Sequence, residues 1–253
     1  MTLTLTVKEL DELWEEAQPS GLQKPEKFET INQAPEQLGE GYIKDVEVFP
    51  NLCLAIFDYQ LHHHLHCKLP IAEHPLHFDV LLSGAMKSDY GILGEGYTLI
   101  SGGGIQSQMT EETKKFHHIL GVEIMMLPST LANFFPGEDG EILPQLKQLV
   151  KSDDWQSVLY LKTTPAIQGV AQQIINCPFS GITKQVYLQG KVLELMALQL
   201  APIISNDNTL PSLRLKPKTI NRLHHAREIL LSRLENPPSM LELAAMSGVS
   251  VRT

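Results

Sequence analysis

Cysteine is scarce in this chain: only Cys53, Cys67 and Cys177 occur among 253 residues. An odd count without Cys-x-x-Cys spacing excludes a disulfide framework and a zinc knuckle, and it fits a reducing compartment, so a cytoplasmic protein is expected. The N-terminus "MTLTLTVKELDELWEEAQ" has no basic start followed by an apolar run, and no later stretch reaches the length needed to span a bilayer. No membrane partner is expected. Positive charge is also short, with 20 Lys/Arg against 29 Asp/Glu and a net charge of −9, which argues against a chain that coats nucleic acid by net charge alone. The glycines Gly102 to Gly104 in "SGGGIQSQ" lack the Lys-Ser/Thr of a phosphate loop and the spacing of a dinucleotide fingerprint, leaving a turn between strands. No Ser/His/Asp or Cys/His arrangement assembles, so the chain is expected not to be an enzyme, with no catalytic residue, cofactor or protein-held metal.

What is present is an apolar fraction of 43%, enough for a real core. Charge is unevenly spread. Residues 214 to 253 hold seven Lys/Arg and three Asp/Glu, leaving −13 on residues 1 to 213. An acidic body with a small basic end suits a sensor joined to a nucleic-acid-facing module. Leu10, Leu13, Trp14 and Ala17 recur at helical spacing and predict a short amphipathic helix over 7–17. From about Tyr42 to Met126 the chain runs in short β-rich segments, "YIKDVEVF", "LCLAIFDYQLHHHLHCK", "LHFDVLLSG", "GYTLISGGG" and "HHILGVEIMML", broken by glycine and proline. Such short turns cannot carry the long crossovers of a parallel sheet, so an antiparallel sandwich or barrel is expected. The period then lengthens. Thr164 and Pro165 stand as N-cap and first residue of a helix bearing Ile167, Val170 and Ile174, and a second helix sets Val186, Gly190, Leu193, Ala197 and Leu200 on one face. The small Gly190 and Ala197 would admit another helix closely, within the chain or in a homodimer.

The polar stretch "ISNDNTLPSL" predicts a linker over 204–213. Beyond it, Ile220, Leu223, Ala226, Leu230 and Leu234 mark a helix that "NPP" ends. Ser239 and Glu242 form a Ser-x-x-Glu capping box before a short helix, Gly248 sits where a left-handed residue stops it, and Ser250 is placed to cap another. Helix, glycine turn, helix is the helix-turn-helix layout, with Ala244 small at the crossing and Leu243 and Val249 apolar beside it.

On these residues, "INRLHHAREILLSRLENPPSMLELAAMSGVS" is similar to the first helices of the AraC-type DNA-binding domain. "QQIINCPFSGITKQVYLQGKVLELMALQL" resembles the helical segment of regulators of the pyochelin-regulator (PchR-like) kind, and "GYIKDVEVFPNLCLAIFDYQLHHHLH" resembles the sensor domain of their cyanobacterial, siderophore-responsive branch. The resemblance implies an α+β chain: a sensor domain over 1–203, with an antiparallel cupin-like β-barrel at about 40–127 and a helical segment at about 143–203, then the linker and an incomplete all-α DNA-binding segment over 214–253. It also implies a ligand-responsive transcription regulator whose partners are promoter DNA and a small-molecule effector, a ferric siderophore in the pyochelin case. In that family the DNA-binding domain continues past the position of Thr253, so this chain is expected to be truncated within the first helix-turn-helix and to lack sequence-specific DNA binding. Three residues cannot nucleate a recognition helix, and phosphate contacts alone do not read bases.

Candidate residues follow. Ser239, Ser250 and Arg252 are the candidate DNA contacts, and the inward strand positions Phe57, Tyr59, Phe78 and Met86 are the candidate ligand contacts. One competing reading is a cupin-type metal-binding protein or metalloenzyme using His62, His64 and His66, which alternate along "QLHHHLHCK", although that face also carries Gln60 and Lys68 and reads as the watered side. Another is a shortened partner that pairs with, or withholds ligand from, intact relatives.

Overall fold

The computed structural model of the chain describes residues 1–17, 26–138, 140–205, 225–227, 229–234 and 236–248. They fall into two compact units, Met1–Leu210 and Pro211–Thr253.

In the first unit, β1 (Thr2–Thr6) leads directly into α1 (Val7–Glu16). Thr6 accepts a hydrogen bond from the Glu9 amide while Glu9 reaches back to the Thr6 amide, so the helix starts on a reciprocal cap. The strands that follow are β2 (Glu29–Gln33), β3 (Gly39–Phe49), β4 (Leu52–Leu61), β5 (His64–Leu69), β6 (Ala72–His74), β7 (Leu76–Ser83), β8 (Ala85–Ser88) and β9 (Gly91–Gly94). Next come β10 (Tyr97–Ser101), β11 (Gly103–Gln106), β12 (Met109–Thr113) and β13 (His118–Met126). A single-turn α2 (Leu131–Phe134) precedes β14 (Val150–Trp155) and β15 (Val158–Lys162), and the helices α3 (Pro165–Ile175) and α4 (Gly181–Ile204) close the unit.

Twelve strands form one sheet in the order β1-β5-β12-β8-β9-β10-β7-β13-β4-β3-β2, with β15 also pairing β10; β14, β11 and β6 form a second sheet. Most pairings are antiparallel, as expected; β1 with β5 and β11 with β14 are parallel. The expected barrel does not close. The path runs from β1 to β2, two end strands that each pair with a single neighbour, β5 and β3, and not with each other. The sheet still curls, since β5, β8 and β12 line one cavity together with β4, β7 and β13.

Period-two alternation assigns the faces. On β7, Leu76, Phe78 and Val80 are fully buried, as are Leu52 and Leu54 of β4 and Val122 and Ile124 of β13. These residues share one core with Ile167, Val170 and Ile174 of α3 and with Leu188, Val192, Leu195 and Met196 of α4. Two helices therefore seal one face of the sheet, and the alternate positions face the cavity. Thr164 caps α3 as anticipated, its Oγ1 accepting from the Ile167 amide at 3.2 Å.

Three expectations need correction. The segment placed at about 143–203 opens with a 3-10 helix at Pro144–Leu149, but its α-helices begin only at Pro165; between them Val158–Lys162 pairs with β10, as its β-branched and aromatic residues favour. On α4 the buried stripe is Leu188, Val192, Leu195, Met196, Gln199, Leu200 and Ile203, whereas Val186, Gly190 and Ala197 are exposed. Both sides of that helix are rich in apolar residues, so spacing alone did not separate them. The histidine run is also split: His62 and His63 form the turn between β4 and β5, so His62 does not share a strand with His64 and His66.

In the second unit, α5 (Met240–Ser247) carries the anticipated capping box, with the Glu242 carboxylate 2.9 Å from both the amide and the hydroxyl of Ser239. It stops at Gly248, whose φ of 68° is the left-handed conformation that glycine adopts without a Cβ penalty.

Candidate ligand cavity

The sheet face turned away from α3 and α4 encloses a cavity of about 300 Å³. Phe57, Met86, Leu93, Leu99 and Met109 supply apolar lining, and His77, Asp79, Glu111, Glu123, Ser88 and Tyr160 supply polar groups. This mixture of apolar walls and a few convergent polar groups is what small-molecule sites use.

The polar wall is built by strand register. Glu123 of β13 lies directly opposite Asp79 of β7, and Met125 opposite His77. Because His77 and Asp79 are two apart, both face the cavity. The His77 Nδ1 stands 3.6 Å from a Glu123 carboxylate oxygen. His74, from β6, lays its ring against His77 with centroids 4.5 Å apart. The His77 Nε2 and His74 Nδ1 are both buried with no hydrogen-bond partner.

Burial and mutual repulsion set the protonation of this wall. Burial and then the charge of Glu123 push the Asp79 carboxyl well above the usual range. Glu123 is pulled the other way: burial opposes its charge, but His77 and the hydrogen bond from Asp79 outweigh that and hold it below normal. The two carboxyls thus share one proton, carried by Asp79, with Glu123 charged. Glu111, on the facing strand β12, is pushed up to about 7 by burial and by Glu123. His74 is pushed down to about 4 by burial and the neighbouring His77, so it is neutral near pH 7. Burial raises the Tyr160 phenol, against a hydrogen bond with Ser88 at 3.3 Å.

Among the described residues, the one group of three or more His, Cys, Asp or Glu side chains with ligand atoms in mutual reach is His77, Asp79 and Glu123, all within 4.8 Å of one another. One imidazole and two carboxylates could hold a metal ion. His62, His64 and His66 do not come together in this way.

Of the anticipated ligand contacts, Phe57 and Met86 line the cavity. Tyr59 is on the same face of β4 but beyond the lining, edge-on to Trp14 at 6.0 Å. Phe78 points the other way, completely buried in the core shared with the helices. Ser239 caps its own helix, and Ser250 and Arg252 lie outside the described residues. The residues that sequence reasoning missed are His77, Asp79, Glu111 and Glu123. For three of them a signal existed: a lone charge inside an apolar strand, as in "LHFDVLLS" and "HILGVEIMM", must find a buried partner or a ligand.

The first unit is thus an α+β unit in which a curled twelve-stranded sheet is covered on one face by two helices and encloses a polar cavity on the other. Residues 39–215 match the family model described as the regulatory protein PchR N-terminal domain, and the chain belongs to that family. The regulatory protein PchR of Pseudomonas aeruginosa is 36% identical over 87 residues, 34% of this chain and 29% of that protein. The PchR-like resemblance read from the sequence therefore holds. Among solved structures, the unsaturated-fatty-acid-bound ToxT of Vibrio cholerae is similar with a TM-score of 0.41 and 10% identity, covering 79% of this chain and 75% of that one. An apo ToxT variant gives 0.39 and 6%, covering 79% and 71%. No helix among the described residues is long and apolar enough to cross a membrane.

Proposed function

We propose that this chain is the sensing part of an AraC-type transcriptional regulator, and that its effector binds in the cavity between β4, β7, β13 and β12. The cavity carries the reading: it sits inside the stretch that matches the PchR family, and its polar wall is too costly to bury for packing alone. A ferric siderophore is the effector class that the family resemblance favours. The cavity, at about 300 Å³, lies at the lower end of the roughly 300–1,000 Å³ typical of small-molecule sites. Promoter DNA is the proposed partner of full-length members of the family, and the cytoplasm the proposed compartment. The cupin-like description of the curled sheet belongs to the same reading.

A physical link connects the cavity wall to the helices. Thr98 donates to the backbone carbonyl of Asp79 and accepts from the Gln199 side chain of α4 at 2.5 Å. A ligand that moves β7 would act on α4 through this buried relay. It would change DNA binding only to the extent that ligand and DNA prefer different arrangements. Isothermal titration of the purified chain with a siderophore, ferric and metal-free, tests the effector. Saturable one-to-one binding of the ferric form, at least tenfold tighter than the metal-free form, is expected; equal binding or none opposes the reading.

A second copy of the chain is the proposed partner of α4, on a specific observation: Ile182, Val186, Gly190 and Ala197 make an exposed stripe on its outer face. Light scattering should find a dimer that Val186→Glu converts to monomer; a wild-type monomer at high concentration excludes it.

A further inference from the structure

We propose that His77, Asp79 and Glu123 bind one divalent transition-metal ion on the cavity wall, with its remaining coordination positions open to the cavity. This goes beyond the effector reading and does not depend on it, because the site is complete within the chain.

Geometry is the first support. The three ligand atoms lie within 4.8 Å of one another, and the His77 nitrogen and Glu123 oxygen are already 3.6 Å apart. Neighbouring ligands around an ion with bonds of about 2.1 Å stand roughly 3.0–3.4 Å apart, so rotamer shifts of the order of an ångström would close the set. All three side chains come from the paired central strands β7 and β13, with Asp79 and Glu123 in direct register, so rigid elements fix their spacing.

The second support is what the protein alone leaves unsatisfied. His77 offers either ring nitrogen as the ligand atom, Nδ1 at 3.6 Å from Glu123 or the buried, unpartnered Nε2, and Asp79, only 6% exposed, faces another carboxyl instead of a cation. Among the described residues, the cavity lining includes no Lys or Arg to neutralise this wall with a fixed positive charge. A doubly charged ion would cancel both carboxylates and leave the buried site neutral. His74, stacked on His77 at 4.5 Å, is a positioning residue that restrains the ring.

The donor set limits the ion. Two carboxylates and one imidazole suit manganese, iron, cobalt or zinc in the divalent state, and the lack of a thiolate disfavours softer ions. Three protein ligands leave a fourth or further position for water or a chelating oxygen from a cavity ligand.

The test uses Co²⁺ as a spectroscopic probe on the whole chain, previously dialysed against a chelator, followed by displacement with Zn²⁺. One equivalent of Co²⁺ should bind, with visible d–d absorption that Zn²⁺ abolishes and with proton release on binding. His77→Ala and Asp79→Asn should each weaken binding at least tenfold, while the double variant His64→Ala/His66→Ala binds like wild type. Asp79→Asn keeps the side-chain size and a hydrogen bond to Glu123, and circular dichroism verifies its fold. A readout without variants is proton NMR: Co²⁺ should shift the His77 ring resonances and leave those of His62, His64 and His66 in place. Absence of stoichiometric Co²⁺ binding, undiminished binding by folded Asp79→Asn, or shifts confined to the surface histidines would each overturn the proposal. Because the aquo ion is the only ligand used, a failed siderophore titration and a failed metal site remain separate results.

Discussion

Asp79 and Glu123 are register partners on β7 and β13, two carboxyl groups facing each other on the wall of one cavity. Side by side in a sheet, like charges repel, and here burial adds to the cost. The pair is sustained by a proton on Asp79 and by His77 beside Glu123.

That proton makes metal-free stability depend on pH. The folded-state pKa of Asp79 lies above its unfolded value, so its contribution is fully present below about 3.9, the unfolded aspartate value, and is lost as pH rises through the folded one. Asp79→Asn cannot lose a proton and should melt higher than wild type at pH 8, with the difference shrinking toward pH 4. Thermal melts in the presence of a chelator at the two pH values measure this.

Glu111 gives a second, separable window. It is pushed up to about 7 by burial and Glu123, and Asp79 and Tyr160 also feel its charge. The raised pKa means that its share of stability falls as pH rises from the unfolded glutamate value to about 7. Glu111→Gln should therefore flatten the melting-temperature profile across that range and gain most above pH 7.

Phe57 and Phe78 should separate binding from folding. Phe78 is fully buried under the helices, and Phe78→Ala should cost about 3–5 kcal/mol in urea denaturation. Phe57 lines the cavity, and Phe57→Leu should change effector affinity several-fold at a cost of about 1 kcal/mol or less.

Lys184 of α4 reaches Glu29 of β2 at 2.5 Å, with side-chain exposures of 15% and 5%. Lys184→Met strands the buried carboxylate and should lose about 3–5 kcal/mol, whereas Lys184→Met/Glu29→Gln recovers much of it. Denaturation midpoints of the single and double variants check this.

Local chemistry was legible from the chain. The Thr164–Pro165 start, the Ser239–Glu242 box and the Gly248 stop involve neighbours within a few residues, and each is found where spacing places it. Strand pairing was not. Asp79 meets Glu123 across more than forty residues, and β7 is apolar on one face and mixed on the other, so alternation alone cannot say which face meets a ligand. Phe78 was therefore assigned to the cavity although it faces the helices. The histidine run drew notice by composition, yet a two-residue turn divides it, while His77 and Glu123 passed as single polar residues in apolar strands.

The central claim is that the effector occupies the cavity, and the most direct measurement is calorimetric titration of a ferric siderophore into wild type and Met86→Trp. Met86 lines the cavity, so the larger indole fills space that the ligand needs. Wild type should bind one-to-one and the variant at least tenfold more weakly, with melting temperatures within a few degrees. Equal affinities, or no saturable binding by folded wild type, would contradict the claim.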